Sequence, residues 1–596
     1  MKYKLINDIN PLYNTVEQVL TNRGIERYDI QNWLHTMDSD INDFRLLGED
    51  KLLAAAKALL KVVANDKKAL VVVDSDADGY TSSALLINYL HDIFPAWVRN
   101  HLDWFIHSGK QHGLSDLDVE TTTKKYSLLL LPDSSSNDYE YHLAFTQRNV
   151  DIVVLDHHEA EITSPNAIVI NNQLCDYPNK NLSGAGITWQ FCRYLDSLLN
   201  MKCADKYIDL VALGNLSDMM SLRSIETKHL IFKGFRSENI RNPFFSAIVA
   251  KNSYLLGDKV TPHGAAWFIT PYINAMVRSG TQEEKELLFN AFLNFRAYDY
   301  ILSTKRGHKL GETEQLVDQA VRTCTNVKKR QTDAQDAAMT YFKKQIEDNN
   351  MLDHKVLLFT IEPGVVDKNI AGLCANKIMG EYQRPCAILT KVRRTLETPD
   401  GDLIYTTYEG SARGCDRIGL TDFKSVCEAT ELTEFSSGHP GAFGLGIGAD
   451  NIESFVETTD DLLADMESEA FHYVDYIFTN TDIDYETILS IGQMGDLWGQ
   501  NVEQPKVAID KLRITPDMVT VYAKKTNTVR ITIPNNKTTL ILFDAPEDLC
   551  QQLQNTQGYV IMNIVGEPAL NEYNGFVSAQ IKVKEYEVVG ESRYSF

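Results

Sequence analysis

The sequence predicts an α/β protein whose first large domain is a parallel sheet, with further domains behind it. Three observations lead there. From Ala69 onward, short runs of β-branched residues or leucine alternate with stretches of helical character; the runs are Ala69–Val73, Ser127–Leu131, Ile152–Leu155 and Ile168–Ile170, and a helical stretch is Thr81–Phe94. Runs that are apolar throughout belong to strands buried on both faces, as in a parallel sheet covered by helices. The chain has 596 residues, more than one hydrophobic core organises, so about three or four domains are expected.

The elements follow in order. Residues 1–66 read as a polar helical segment with a Leu/Ala-rich run at Leu52–Leu60. Residues 67–305 hold the alternating pattern. Residues 306–348 read as a connecting helix. From Glu312 to Asp348 there is no Pro or Gly, and Leu316, Ala320, Cys324, Val327, Ala334, Ala338 and Tyr341 recur at helical spacing. A second α/β pattern begins at Val356–Phe359 and fills 349–460. In 461–596, the runs Val519–Ala523, Thr528–Ile533, Thr538–Phe543, Tyr559–Val565 and Phe576–Ile581 read as closely spaced strands of a small β-barrel.

Composition narrows the class. Apolar content of 44% and charged content of 23% are those of an ordinary globular protein. The nine cysteines include no CxxC pair, which argues against a disulfide framework and a structural zinc site and places the chain in the reducing cytosol. The first residues lack the features of a signal peptide, and no window has the length and polarity of a membrane helix. The net charge of −23 argues against a nucleic-acid coat protein, which would present a broad basic surface. It leaves room for an enzyme that confines positive charge to one channel.

Acidic and histidine residues cluster at strand ends. The first strand runs into Asp74-Ser75-Asp76-Ala77-Asp78-Gly79. In a parallel sheet the carboxyl ends of strands line the ligand crevice, and aspartates crowded there repel one another unless cations intervene. A calcium loop is excluded, since its twelfth position, where a bidentate Glu belongs, is Leu85. Asp133 follows the second strand, Asp156-His157-His158 ends the third, and Asp218 closes Leu210–Asp218. Each alone is a turn, a surface pair or a helix-end carboxylate. Together they form an oxygen-rich site with imidazole, suited to Mn²⁺ or a similar divalent ion. Two such ions could activate a water and stabilise an in-line phosphoryl displacement.

These motifs, in this order, resemble those of the DHH phosphoesterases, and within them the RecJ-type exonucleases. Supporting pieces are Asn181–Gly186, Pro271–Arg278, Gly410–Arg413 and Gly438–Gly444, the last similar to the signature of a DHH-associated domain. The match is convincing over about residues 65–450. The tail, with Asn574-Gly575-Phe576, resembles the family's oligonucleotide-binding (OB) barrel more weakly. The resemblance implies a DHH catalytic domain at 67–305, a nucleic-acid-binding DHH-associated domain at 349–460 and an OB-like barrel in 461–596. It implies that Asp76 and Asp78 each hold one metal ion, Mn²⁺ or Mg²⁺, that Asp133 bridges both, and that His157 and Asp218 complete the second site with support from Asp74. His158 would sit at the scissile phosphate. Asn274, Arg278, Ser411, Arg413 and His439 would contact the backbone or terminal phosphate of DNA, arginine because its fork pairs with two phosphate oxygens.

There are departures. The glycine expected soon after Asp133 is replaced within Ser134-Ser135-Ser136-Asn137, and the family's arginine-bearing loop is His107-Ser108-Gly109-Lys110-Gln111-His112-Gly113. Lys110 or His107 would then substitute as the phosphate contact. Val277 stands where the family has glycine before Arg278. Such differences point to a divergent branch, such as a phage-encoded enzyme.

The expected function is a 5′ to 3′ exonuclease on single-stranded DNA that releases 5′-mononucleotides in repair, recombination or replication. The expected form is a cytoplasmic monomer, with a single-strand-binding protein as a candidate partner and no membrane association. Lys328, Lys329 and Arg330 could face the strand from the connecting helix, although a solvated helix face is the simpler reading. Two alternatives remain open: a phosphodiesterase for oligonucleotides or cyclic dinucleotides, and a non-catalytic DNA-binding scaffold.

Overall fold

The computed structural model describes every residue except 110, 397–402, 467–470, 524–525, 535, 574–575 and 594–596. The chain opens on a strand, β1 (Lys2–Leu5), where only helix was expected; helices follow at Thr15–Asn22 and Glu49–Ala64.

The first α/β unit is a parallel sheet of β2 (Ala69–Val73), β3 (Leu102–Ile106), β4 (Leu128–Pro132), β5 (Asp151–Asp156) and β6 (Ile168–Asn171), in the order β3-β2-β4-β5-β6. Both faces are dry. Val71, Val73, Leu128, Leu130, Val153 and Leu155 enter one core, while Leu70, Val72, Leu129, Leu131, Ile152 and Val154 enter another. That is why these runs are apolar at every position. The edge strand β3 was missed. Its sequence, Leu102-Asp103-Trp104-Phe105-Ile106, is buried only at its two ends, so no continuous apolar run marks it. The helix after β2 spans Ala77–Ile93, starting earlier than expected because Asp76 caps it: the Asp76 carboxylate accepts from the Gly79 amide at 2.9 Å. The chain leaves β2 to one side for β3 and returns to the other side for β4. The crevice therefore opens at the carboxyl ends of β2 and β4.

A hairpin of β7 (Tyr300–Leu302) and β8 (Thr313–Gln315) precedes the connecting helix, which runs from Leu316 to Asp348. The helix starts later than expected because the backbone of 313–315 pairs as strand. It joins two cores, placing Ala320, Cys324 and Val327 in the first and Phe342 and Ile346 in the second.

The second α/β unit contains β9 (Leu357–Ile361), β10 (Cys386–Leu396), β11 (Leu403–Arg413), β12 (Thr433–His439) and β13 (Ala442–Gly448), in the order β12-β13-β11-β10-β9. Helix Lys368–Tyr382 packs on it. Next, β14 (Phe471–Val474) pairs in parallel with β1. A seven-stranded mixed sheet then forms from β15 (Tyr476–Thr479), β16 (Val507–Ile514), β17 (Val519–Ala523), β18 (Asn527–Thr532), β19 (Thr539–Leu542), β20 (Gly558–Tyr573) and β21 (Phe576–Arg593). All five strands read from the tail are present; β15 and β16 join them.

Contacts close the chain into a circuit. The buried Arg23 guanidinium donates to both oxygens of Asp475 at 2.7 and 2.9 Å, tying the N-terminal helices to the C-terminal region. Arg417 of the second unit reaches Glu585 of β21 at 3.1 Å. All nine cysteines are free, and no described helix is long and apolar enough to cross a membrane.

Candidate metal centre and nucleic-acid contacts

The acidic and imidazole residues converge at the carboxyl edge of the parallel sheet. Asp74 leaves β2, Asp133 leaves β4 and Asp156-His157-His158 leave β5. Asp218 caps the end of helix Ile208–Ser217. Three overlapping groups result: Asp74, Asp76 and Asp133; Asp78, His157 and Asp218; and Asp133, Asp156, His157 and His158. Within each, the ligand atoms lie within 4.8 Å of one another.

Local structure explains the placement. Asp78 is buried in the first turn of helix Ala77–Ile93. Its carboxylate accepts from Ser183 Oγ at 3.0 Å and from the Gly184 and Ala185 amides at 2.6 and 3.1 Å, at the start of helix Gly184–Leu199. Ser183 N donates to Asn215 Oδ1 at 3.1 Å, which binds that turn to the segment ending in Asp218. The quoted motifs Asn181–Gly186 and Leu210–Asp218 thus act as a frame around Asp78. Asp133 adopts φ +67° and Ser135 φ +80°, a left-handed backbone that non-glycine residues rarely hold. This is where the departure from the expected glycine falls. Ser135 Oγ donates to Asp138 at 2.8 Å and the Ser136 amide to Asp156 at 3.0 Å, which offsets part of that cost.

The donor set fits divalent cations. Asp74 Oδ1, both Asp133 oxygens and His157 Nε2 are buried without hydrogen-bond partners. His157 Nε2 lies 3.2 Å from Asp133 Oδ1 and 3.2 Å from Asp218 Oδ2, without hydrogen-bond geometry to either. Several buried acceptors aimed at one volume are costly unless a cation is there to share. The electrostatics agree. Burial, and then the charge of Asp76, pushes Asp78 up to about 6. Burial, then Asp78 and Asp76, pushes Asp218 up to about 8. Asp133 rises well above the usual carboxylate range through burial and four neighbouring carboxylates. Burial, followed by the charge of His158, lowers His157 to about 4, so its imidazole is neutral and able to ligate.

His158 is set differently. Its Nδ1 lies 2.7 Å from Asp156 Oδ1, and its side chain is half exposed. Burial opposes its charge, but the Asp156 hydrogen bond and the surrounding carboxylates outweigh that and raise it to about 9. Asp156 was read from the sequence within Asp156-His157-His158 but given no role of its own there. It accepts from the amides of Ser136, His157 and His158 and from the His158 ring, so it anchors the turn. His112 was missed. Its Nδ1 lies 2.7 Å from Asp74 Oδ2.

Ser411 and Arg413 come together over helix Lys368–Tyr382, and Arg278 lies within reach of Arg413's charge. A Cβ on Gly372 would lie 2.6 Å from Arg413 Nη2 and 3.4 Å from Ser411 Oγ, so the glycine makes room for the guanidinium. Arg413 is depressed by burial and then by the charge of Arg278, which places two guanidinium groups close together. Asn274 lies one turn before Arg278 on helix Thr270–Ser279. His439 is exposed at the end of β12, beside the tight turn to β13. One expectation is corrected. His107 is buried with Nδ1 2.9 Å from Asp116, which removes it as a phosphate contact. Arg330 is engaged by both oxygens of Glu284 at 3.0 and 2.8 Å, and Lys328 donates to Gln331. Lys110 and the pair Asn574-Gly575 lie outside the described residues.

The fold and the acid–imidazole edge define the class, a DHH-type α/β protein. The model of the DHH family, N-terminal domain, matches residues 68–215, and that of the RecJ OB domain matches 474–585. The SPbeta prophage-derived YorK protein of Bacillus subtilis (strain 168), whose name describes a single-strand DNA-specific exonuclease, is 33% identical over 99% of this chain and 98% of its own length. RecJ of the same strain is 23% identical over 97% of this chain and 68% of its own length. The crystal structure of RecJ from Thermus thermophilus in complex with Mn²⁺ superposes with a TM-score of 0.69 at 16% identity, covering 99% of this chain and 80% of that one. The chain belongs to the RecJ-type exonuclease family of DHH enzymes, which are metal-dependent nucleases.

Proposed function

We propose that this chain removes nucleotides from the 5′ end of single-stranded DNA, hydrolysing phosphodiester bonds with two divalent cations and releasing 5′-mononucleotides in repair, recombination or replication. The observation that carries this reading is the set of buried, partnerless acceptors on Asp74, Asp133 and His157 beside Asp76, Asp78 and Asp218. Asp76 and Asp78 would each hold one cation, Asp133 would bridge the pair, and His157 and Asp218 would complete the second site. Bound there, Mn²⁺ or Mg²⁺ supplies Lewis acidity to the phosphoryl oxygens and activates a water. His158, charged at neutral pH and oriented by Asp156, presents its other nitrogen to the scissile phosphate. Arg278, Arg413, Ser411 and Asn274, with His439 and Lys110, would grip the phosphate backbone, where arginine pairs with two oxygens at once. The C-terminal sheet would hold the strand by stacking and backbone charge.

The likeness to YorK, named as a single-strand DNA-specific exonuclease, and to RecJ crystallised with Mn²⁺ and with Mg²⁺ supports this reading. A monomeric state, a cytoplasmic setting and a single-strand-binding partner belong to the same proposal. One assay separates it from its rivals. Long end-labelled single-stranded DNA, a dinucleotide and duplex DNA are each incubated with Mn²⁺ or Mg²⁺. Degradation of the long strand from its 5′ end is expected. Cleavage of the dinucleotide alone, or binding without cleavage, would falsify the proposal in favour of a small-substrate phosphodiesterase or a scaffold.

A further inference from the structure

His112 lies on the loop that departs from the family pattern, and it touches the metal centre. Its Nδ1 is 2.7 Å from Asp74 Oδ2. The other Asp74 oxygen, Oδ1, is buried and has no hydrogen-bond partner, and Asp74 groups with Asp76 and Asp133. One carboxylate oxygen is therefore tethered while the other is free for the cation site.

The loop is braced to deliver this histidine. Beneath it, the buried Lys285 ammonium donates to the Ser108 carbonyl at 2.8 Å and more weakly to those of His107 and Gly109 at 3.4 Å. Beyond it, the Leu114 amide donates to Asp138 Oδ2 at 2.9 Å. Between them, Gly113 takes φ +62°, and a Cβ there would run into the side chains of Asp138 and Ser135. Asp138 and Ser135 follow Asp133, so one set of contacts fixes both the loop bearing His112 and the loop bearing Asp133. The His112 ring itself is 63% exposed, so it adds little to the core. Such anchoring of an exposed ring is more than a surface loop needs.

We propose that His112 is a positioning residue of the metal centre: its Nδ1–H fixes the Asp74 carboxylate so that Oδ1 faces the cations. Partners that hydrogen-bond a metal-ligating carboxylate set its direction and basicity, and losing one typically costs about 10–100-fold in metal affinity or activity. This inference rests on the metal centre described above and adds a residue that the motif pattern does not contain.

The test is direct Mn²⁺ binding, read from the paramagnetic resonance signal of free Mn²⁺, on the full chain and on His112→Ala and His112→Asn. The alanine variant is expected to bind Mn²⁺ about 10–100-fold more weakly. The asparagine variant, whose amide can donate to Asp74, is expected to recover most of that loss. Melting temperatures stay the same, and at saturating Mn²⁺ the KM for single-stranded DNA is unchanged. Unaltered Mn²⁺ binding in His112→Ala overturns the proposal. So does a raised KM with Mn²⁺ binding intact, which would make His112 a substrate contact. If the unaltered protein binds no Mn²⁺, the metal-centre reading itself fails, an outcome distinct from either.

Discussion

Asp133 and His157 face one another at 3.2 Å with no proton shared between them, an arrangement that favours a cation over a compact metal-free core. Asp133→Ala and His157→Ala are each expected to reduce hydrolysis by more than the roughly 100-fold upper range seen for outer partners. Fold should survive, because each change removes a group that burial already penalises. Turnover of labelled single-stranded DNA, with circular dichroism as the control, checks this; full activity in either variant would refute the ligand assignment. The same groups predict a pH effect. Asp218 near 8 and His158 near 9 are both raised above their unfolded values of about 3.9 and about 6.5. Each holds a proton in the folded state that the unfolded chain releases. Their contribution to stability is present at low pH and is lost as pH rises through 8 and 9. His157, lowered to about 4, acts in the opposite sense, and only below about pH 6.5. The metal-free protein should therefore melt at a lower temperature at pH 9 than at pH 6.5, and Mg²⁺ should narrow the gap. A melting temperature that climbs across this window would contradict the site electrostatics.

At the scale of elements, the strand ends do the positioning and a helix start locks them. Helix Gly184–Leu199 begins pressed against Asp133: a Cβ on Gly184 would lie 2.7 Å from the Asp133 Cα. Alanine is the better helix former by about 1 kcal/mol, so Gly184→Ala should stabilise an isolated helix. Here it should displace Asp133, lower hydrolysis at least about tenfold and weaken Mn²⁺ binding. Unchanged kinetics would show that the helix does not set Asp133. Element reading from sequence worked where both faces of a strand are dry, as in Ala69–Val73, whose limits match those expected. It missed β3, which carries Asp103 near its start and lies at the sheet edge. It also missed β1, whose partner β14 lies over 460 residues away. The His112–Asp74 pair was invisible for the same reason: nothing in their spacing announces contact across 38 positions.

Across the whole molecule, distant segments close a circuit around the two α/β units. Arg23 and Asp475 form a buried pair, with side chains 4% and 0% exposed. Removing one partner leaves an uncompensated charge, so Arg23→Ala should cost about 3–5 kcal/mol and detach the N-terminal helices from the C-terminal region. Denaturant unfolding measures it; a loss under about 1 kcal/mol would mean that water already reaches the pair. Arg413, brought beside Arg278 from the second unit, belongs to this scale too. Arg413→Ala should weaken single-stranded DNA binding and lower the slope of log affinity against log salt by about 1. An unaltered slope would remove Arg413 from the phosphate contacts.

From residue types and order alone came the α/β class, the family resemblance, the β-rich tail and the candidate ligands Asp76, Asp78, Asp133, His157 and Asp218, with Asp74 in support. These are legible because buried strands demand continuous apolar runs and because carboxylates placed at strand ends leave a local pattern. Folding alone decided which carboxylate oxygens are tethered and which are free. It also decided that His107 is buried and Arg330 paired with Glu284, and that His112 reaches Asp74. Such outcomes depend on contacts between segments far apart in the chain, and no local spacing encodes the direction in which a side chain finally points.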